Sequence, residues 1–331
     1  MPLIIAEISA NHGNSIEIVK DSIIAAKESG ANAVKIQTYK PESITIDCDS
    51  EDFVIRDESL WKDSKLFDLY KKGSMPYEWT KELFDFARDN DILLFSTPFD
   101  ELAVDLLESV NNPIYKVASF EINHIPLLQK IAKTKKPVII STGIATEEEI
   151  LLAVNTFKEA GVTDITLLKC TSQYPAKIED ANLNMMNYFK DKFNVRVGIS
   201  DHTIGSMVPI VGITLGATVI EKHFILNKEI DSPDKDFSMD PAEFKEMVDK
   251  VTQALSTLGI VSFDGITEKP SRKYRRSIYV SNDVKKGDIV TTGNIKVVRP
   301  GFGLDPKFYF DLLGKEFDKD YKKGDRITKV F

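Results

Sequence analysis

Cysteine is almost missing from this chain of 331 residues: there are two, Cys48 and Cys170, in no spacing that a metal site or redox pair uses. That argues against a disulfide framework and for reduced thiols. Long apolar runs are missing as well, none approaching the roughly 18 residues a membrane span requires. Positive charge is in the minority, 43 Lys and Arg against 51 Asp and Glu, for a net charge of −8. A general nucleic-acid surface is thereby excluded, and any anionic ligand must be held by local cations. The opening stretch "MPLIIAEISANHG" has no basic n-region and meets polar residues too soon for a signal peptide. The expectation is a soluble cytoplasmic protein with no membrane or nucleic-acid partner. Glycine is scarce where a nucleotide-binding sheet would need it: "SANHGNS", after the first apolar run, holds one, so the dinucleotide fingerprint is absent.

What the chain does contain is a rhythm. Short β-branched runs recur: "LIIAEIS" (3–9), "AVKIQT" (33–38), "ILLFST" (92–97), "IYKVAS" (114–119), "PVIIST" (137–142), "ITLLKC" (165–170), "VRVGIS" (195–200) and "TVIEKH" (218–223). Helical patterns lie between them. "SIEIVKDSIIAAKESG" has a serine start, apolar spacing of three to four and a glycine stop. Thr146 and Glu149 predict a capping box, and Asp240 with Pro241 predicts another helix start. Eight strands alternating with helices predict a (β/α)₈ TIM barrel over residues 1–258 rather than an open sheet. Residues 259–275, "FDGITEKPSRKYR" among them, are polar, basic and aperiodic, and read as a linker. Residues 276–331 carry two "KKGD" turns, a weak internal repeat of hairpin character, and read as a second, small β-rich domain. The long stretch between the second and third runs, with Trp61, Tyr70, Tyr77 and Trp79, reads as a wall over the catalytic face.

Catalytic groups of such a barrel cluster at the C-terminal ends of strands, and here those ends are polar. In "VIEKHF", Glu221, Lys222 and His223 stand in consecutive positions of an otherwise buried strand, where unpaired charges cost several kcal/mol. Period-two alternation puts Glu221 and His223 on one face, as it does Lys35 and Gln37. Strands one and eight adjoin in a closed barrel, so Glu7 approaches His223; strands seven and eight adjoin too, bringing His202 near His223. Two imidazoles near carboxylates make a candidate divalent-metal site with open positions; the plainer alternative is a pair of satisfied core histidines. Lys35 and Lys116, with Thr97, Ser119, Ser141 and Ser200, form a ring of cations and hydroxyls suited to phosphate or carboxylate. A Schiff-base lysine is the rival reading, and spacing alone leaves it open. His12 and His124 receive no role.

In order and spacing, "AEISANHG", "ANAVKIQTY", "FSTPFD", "YKVASFEI", "STGIAT", "CTSQYP", "GISDHTIG", "VIEKHF" and "RPGFG" resemble the sialic acid synthase family over essentially the whole chain. The small C-terminal module resembles that family's antifreeze-like (SAF) domain. "SLWKDSKLFDLYKKGSMPYEW", "YKVASFEINHIPL" and "RRSIYV" resemble the branch that forms pseudaminic acid. The resemblance implies an enzyme condensing phosphoenolpyruvate with an acetamido sugar, 2,4-diacetamido-2,4,6-trideoxy-L-altrose, with phosphate released by C–O cleavage. It implies a divalent metal (Mn²⁺, Co²⁺ or Mg²⁺) on His202 and His223. Lys35, Thr97, Lys116, Ser119, Ser141, Ser172 and Ser200 would hold phosphoenolpyruvate, Ser172 standing where some relatives have asparagine. Glu7 and Glu221 would be catalytic, and Gln37, Glu121, Tyr174 and Asp234 would face the sugar. Arg299 would reach the site of the other subunit in a domain-swapped homodimer. Synthesis of neuraminic or legionaminic acid by the same fold, and a non-catalytic sugar- or ice-binding protein, are the competing readings.

Overall fold

In the computed structural model, which describes residues 1–56 and 61–331, the eight apolar runs become eight parallel strands. They are β1 (Leu3–Glu7), β2 (Ala33–Thr38), β3 (Leu93–Pro98), β4 (Tyr115–Val117), β5 (Val138–Ser141), β6 (Ile165–Cys170), β7 (Arg196–Asp201) and β8 (Val219–His223). They close into a barrel in chain order, β8 returning to pair with β1. The expected (β/α)₈ architecture is the observed one. Several of its helices start where the sequence provides caps. Ser15 accepts from the Ile18 amide ahead of helix Ile16–Glu28. Complete capping boxes, Thr146 with Glu149 and Asp240 with Glu243, open helices Glu147–Glu159 and Pro241–Leu258; such a cap contributes about 1 kcal/mol. The longer helices lay an apolar stripe on the barrel, as Val19, Ile23 and Ala26 do.

Inside the barrel a second apolar cluster, Ile5, Ala33, Phe95, Ile139, Leu168 and Val219, fills the lower storey. Two residues further along the same strands stand Glu7, Lys35, Thr97, Ser141, Cys170 and Glu221. Period two keeps them on the inner face. The register sets them level: Glu7 lies opposite both Lys35 and His223, and Ser200 opposite Glu221.

The connection from β2 to β3 holds helices Pro41–Ile44 and Leu66–Gly73 before the barrel's own helix Trp79–Asp89; residues 57–60 of it lie outside those described. Of the four aromatics expected to wall the site, Trp61 does: its indole N–H donates to the Pro233 carbonyl (3.3 Å) and its ring is 5.6 Å from Tyr174. Trp79 instead packs on the barrel core, edge-on to His12 at 6.2 Å, because it opens the helix that packs on β3 and on helix Ile16–Glu28. Tyr77 stacks under Lys40 (5.0 Å) and Tyr70 against Tyr39 (6.4 Å).

The chain divides into two compact units, Met1–Gly259 and Ile260–Phe331. In the second, β9 (Ser277–Val280) and β10 (Ile295–Val298) pair antiparallel over a small core including Ile278, Val280, Ile295, Phe317 and Ile327. The repeated "KKGD" is one turn used twice. Gly287 and Gly324 both adopt positive φ, +87° and +95°, and Asp288 and Asp325 each accept from the amide three residues back at 2.7 Å. Each turn is also held by the aspartate two residues before the other: Lys285 pairs with Asp320 and Lys322 with Asp283. Among the described residues no helix is long and apolar enough to cross a membrane.

Candidate active site

The upper storey of the barrel is a linked cluster of ionised groups. Lys35 Nζ lies 2.5 Å from Glu7 Oε2 and donates to Thr97 Oγ1 at 3.0 Å. Gln37 donates to Glu7 Oε1 at 3.3 Å. Across the barrel Lys116 donates to Ser141 Oγ at 2.8 Å. Glu221 Oε1 joins the halves: it is 3.9 Å from Lys35, 3.8 Å from Lys116, and accepts from Ser200 Oγ at 3.2 Å. All four charged side chains are at most 5% exposed. Their charges balance, two ammonium groups against two carboxylates, which is how burial of ions is tolerated.

Burial is the largest single influence on these protonation equilibria, and neighbouring charges decide whether it prevails. It pushes the Glu7 carboxyl up to about 7 despite Lys35. Burial acts the same way on Glu221, yet Lys116 and Lys35 together outweigh it and hold that carboxylate below its ordinary range. Burial lowers Lys116, whereas in Lys35 the attraction of Glu221 and Glu7 overcomes burial and raises it. Glu121, in the turn after β4, is pushed up to about 7 by burial, against the pull of Lys116. Two carboxyl groups are therefore poised near neutrality beside one that stays ionised, a division fit for proton management.

On the β7–β8 side the two histidine rings stand 5.2 Å apart. His202 Nδ1 is 2.9 Å from the Thr171 carbonyl; a proton on Nδ1 satisfies that contact and leaves the Nε2 lone pair free. His223 is held neutral by burial and by the neighbouring His202 and Lys35 charges. Its Nδ1 is buried with no hydrogen-bond partner among the described residues, 3.6 Å from Asp234 Oδ2. Tyr174 and Phe237 wall the pair, 4.4 Å from His202 and 4.9 Å from His223. A neutral imidazole with an unsatisfied nitrogen, set beside a second imidazole, suits a borderline divalent cation. Among the described residues no group of three or more His, Cys, Asp or Glu converges on one point, so the pair fits an open site completed by water and substrate rather than a closed cage.

Most residues singled out from the sequence thus meet at one mouth. Ser119 accepts from the Ile144 amide (3.2 Å) at its edge, and Ser172 lies beside Cys170. Asp234 sits on the His223 side, accepting from the Ala10 amide (3.4 Å). Arg299 belongs to the C-terminal unit, exposed after β10. His12 bridges the Asn14 amide and the Gly73 carbonyl, a structural role.

Three participants were not singled out. Cys170 points inward, two residues beyond Leu168, with its sulfur 3.9 Å from His202 Nδ1; the same alternation would have found it. Gly143 has no side chain because a Cβ there would overlap the Ser172 hydroxyl and lie 2.9 Å from that of Ser119. Asn11 donates to the Phe224 carbonyl (2.9 Å) and Ser238 (2.8 Å) and accepts from Ser232 (2.6 Å), fixing the loop that carries Asp234. A cavity of about 560 Å³ opens instead at strand starts around Asp164 and Arg196. Those two groups pair with each other at the surface, so it lacks the buried chemistry of the mouth.

Comparison with known proteins agrees with this geometry. Residues 22–262 match the model of the NeuB family. The chain is 50% identical to a pseudaminic acid synthase of Campylobacter jejuni, over 98% of this chain and 95% of that protein. It is 47% identical to one of Helicobacter pylori, over 99% and 96%. Among solved structures, an N-acetylneuraminic acid synthetase of Leptospira borgpetersenii superposes with a TM-score of 0.72 at 29% identity, covering 81% of this chain and 90% of that one. The chain belongs to the NeuB family.

Proposed function

We propose that this protein is a pseudaminic acid synthase, condensing phosphoenolpyruvate with 2,4-diacetamido-2,4,6-trideoxy-L-altrose to give pseudaminic acid and phosphate. One observation carries the reading: Glu7, Lys35, Lys116 and Glu221 form a single buried, charge-balanced cluster beside two imidazoles 5.2 Å apart, in a chain of this kinship.

Lys35 and Lys116 are the anion-holding cations, and Thr97, Ser119, Ser141, Ser172 and Ser200 supply hydroxyl donors for phosphate and carboxylate oxygens. The bare backbone of Gly143 lets the Ser119 and Ser172 hydroxyls stand close together. Gln37, Glu121, Tyr174 and Asp234 face the sugar. His202 and His223 would hold a divalent cation, Mn²⁺, Co²⁺ or Mg²⁺, which would supply Lewis-acid polarisation of the sugar aldehyde. As carbon three of phosphoenolpyruvate bonds to the aldehyde carbon, positive charge develops on carbon two. Glu221, ionised at neutral pH, faces that charge, and Glu7, poised near 7, takes the proton of the water that adds there. The tetrahedral centre then loses phosphate together with the bridging oxygen.

The C-terminal unit reads as an SAF-type module, residues 276–331 after a linker at 259–275. It serves the barrel of a second copy in a domain-swapped homodimer, where the Arg299 guanidinium donates to an acetamido carbonyl. We place the enzyme in the cytoplasm, where phosphoenolpyruvate is available.

Phosphate release from phosphoenolpyruvate, measured with a panel of acetamido sugars, tests the reading. Turnover should be at least tenfold faster with the L-altro diacetamido sugar than with manno-configured ones. Preference for a manno-configured sugar overturns the acceptor, and no release with any sugar overturns the enzyme.

A further inference from the structure

Lys222 takes no part in the chemistry above. It lies between Glu221 and His223 but points out of the barrel, into the layer beneath the helices, where it is 1% exposed. Its ammonium donates to Asp201 Oδ2 at 2.6 Å and to the Thr203 carbonyl. Asp201 faces it in the β7–β8 register, and the other carboxylate oxygen accepts from the Thr203 amide at 2.9 Å. Asp201 is 4% and Thr203 2% exposed.

The residue between Asp201 and Thr203 is His202, and the residue after Lys222 is His223. The β7–β8 ladder ends at the Asp201–Lys222 pair, so His202 stands one position beyond it. What holds its backbone there is a pair of ties: the Ala176 amide on the His202 carbonyl at 3.0 Å, and the Asp201–Lys222 pair gripping Thr203 from the outer face. A buried ion pair is a poor stabiliser, since apolar residues of similar volume often do as well or better. Its virtue is fixed geometry.

We propose that Lys222, together with Asp201, is a positioning residue: an outer-face latch that fixes the His202 imidazole relative to His223 and so sets the affinity of the pair for a divalent cation. The inference rests on the two-histidine reading of the site.

The test titrates Mn²⁺ alone into metal-stripped full-length protein, following the free ion by electron paramagnetic resonance, with thermal unfolding in parallel. Four proteins are compared: the natural chain, His202→Ala, Lys222→Met, and the double variant Asp201→Leu/Lys222→Met. The double variant should unfold within a few degrees of the natural chain or above it, yet bind Mn²⁺ about 10–100-fold more weakly, the range for loss of an outer-shell partner. Lys222→Met alone leaves a buried carboxylate unpaired and should lower both stability and affinity. A folded double variant with unchanged Mn²⁺ affinity overturns the latch. A double variant that does not fold overturns it too, since the pair would then be a stability element. Equal Mn²⁺ binding by the natural chain and His202→Ala is a different result: it removes the two-histidine site itself, and the latch with it.

Discussion

Two positions separate Ile5 from Glu7, Ala33 from Lys35, Phe95 from Thr97, Ile139 from Ser141 and Val219 from Glu221. The lower members fill the barrel with apolar surface, each large side chain contributing about 1.5–3 kcal/mol on burial. The upper members are as deeply buried, and the ions among them each give up several kcal/mol of hydration that their partners return only in part. Strand, backbone and burial are shared between the storeys; only the chemistry differs. The contrast teaches that the lower storey exists to hold the barrel closed and the upper one to hold something else.

That division can be broken from either side. The largest effect belongs to the imidazoles. His202→Ala or His223→Ala should reduce turnover by about 10³-fold or more, the several kcal/mol that a Lewis acid supplies, with the unfolding temperature little changed. Near-normal rates in either variant would make that residue a core histidine after all. Next is a matched pair, one from each storey. Lys116→Met should lower kcat/KM by about 10²–10³-fold in a protein that still folds, with some stability lost because the buried Glu221 carboxylate keeps Lys35 but loses Lys116. Phe95→Ala should cost about 3–5 kcal/mol of stability while its folded fraction retains turnover. If the lysine variant unfolds, or the phenylalanine variant folds well and is inactive, the comparison fails.

Smaller effects sharpen it. Gly143→Ala should raise KM for phosphoenolpyruvate about tenfold, as overpacking of 1–3 kcal/mol implies, because the new methyl group meets Ser119 and Ser172; an unchanged KM puts the anion elsewhere. The smallest is a pH effect. Burial raises the Glu121 carboxyl from its ordinary 4.5 to about 7, so the folded protein binds a proton that the unfolded chain releases earlier. That contribution to stability is complete below pH 4.5 and is lost as pH rises through about 7. Unfolding temperatures measured from pH 5 to pH 8 should fall in the natural chain and fall less in Glu121→Gln. Identical slopes would mean that Glu121 is ionised in the fold.

Much of this was legible in the sequence because it is local. Two-residue alternation is a property of one strand, so Glu221 with His223 and Lys35 with Gln37 could be placed on the inner face from spacing alone. The same rule, applied to Leu168, would have placed Cys170 inward and turned Lys169 outward, where its ammonium donates to the Cys170 carbonyl at 2.6 Å. What spacing could not supply is contact between distant segments. Asn11 reaches residues more than two hundred positions away. The Asp201–Lys222 pair depends on strand register, which no single strand specifies. Trp79 looked like part of a wall because its neighbours in sequence are polar; the helix that it begins turns it toward the core.

The central claim is that the upper storey stabilises positive charge on carbon two of phosphoenolpyruvate, so that the carbon–oxygen bond breaks. Phosphoenolpyruvate carrying heavy oxygen in its bridging position tests this directly, with the label followed by mass spectrometry after turnover with the diacetamido sugar. With Glu7 and Glu221 beside carbon two, the label should leave in phosphate. Label retained in the sugar product would mean attack at phosphorus and would contradict the account.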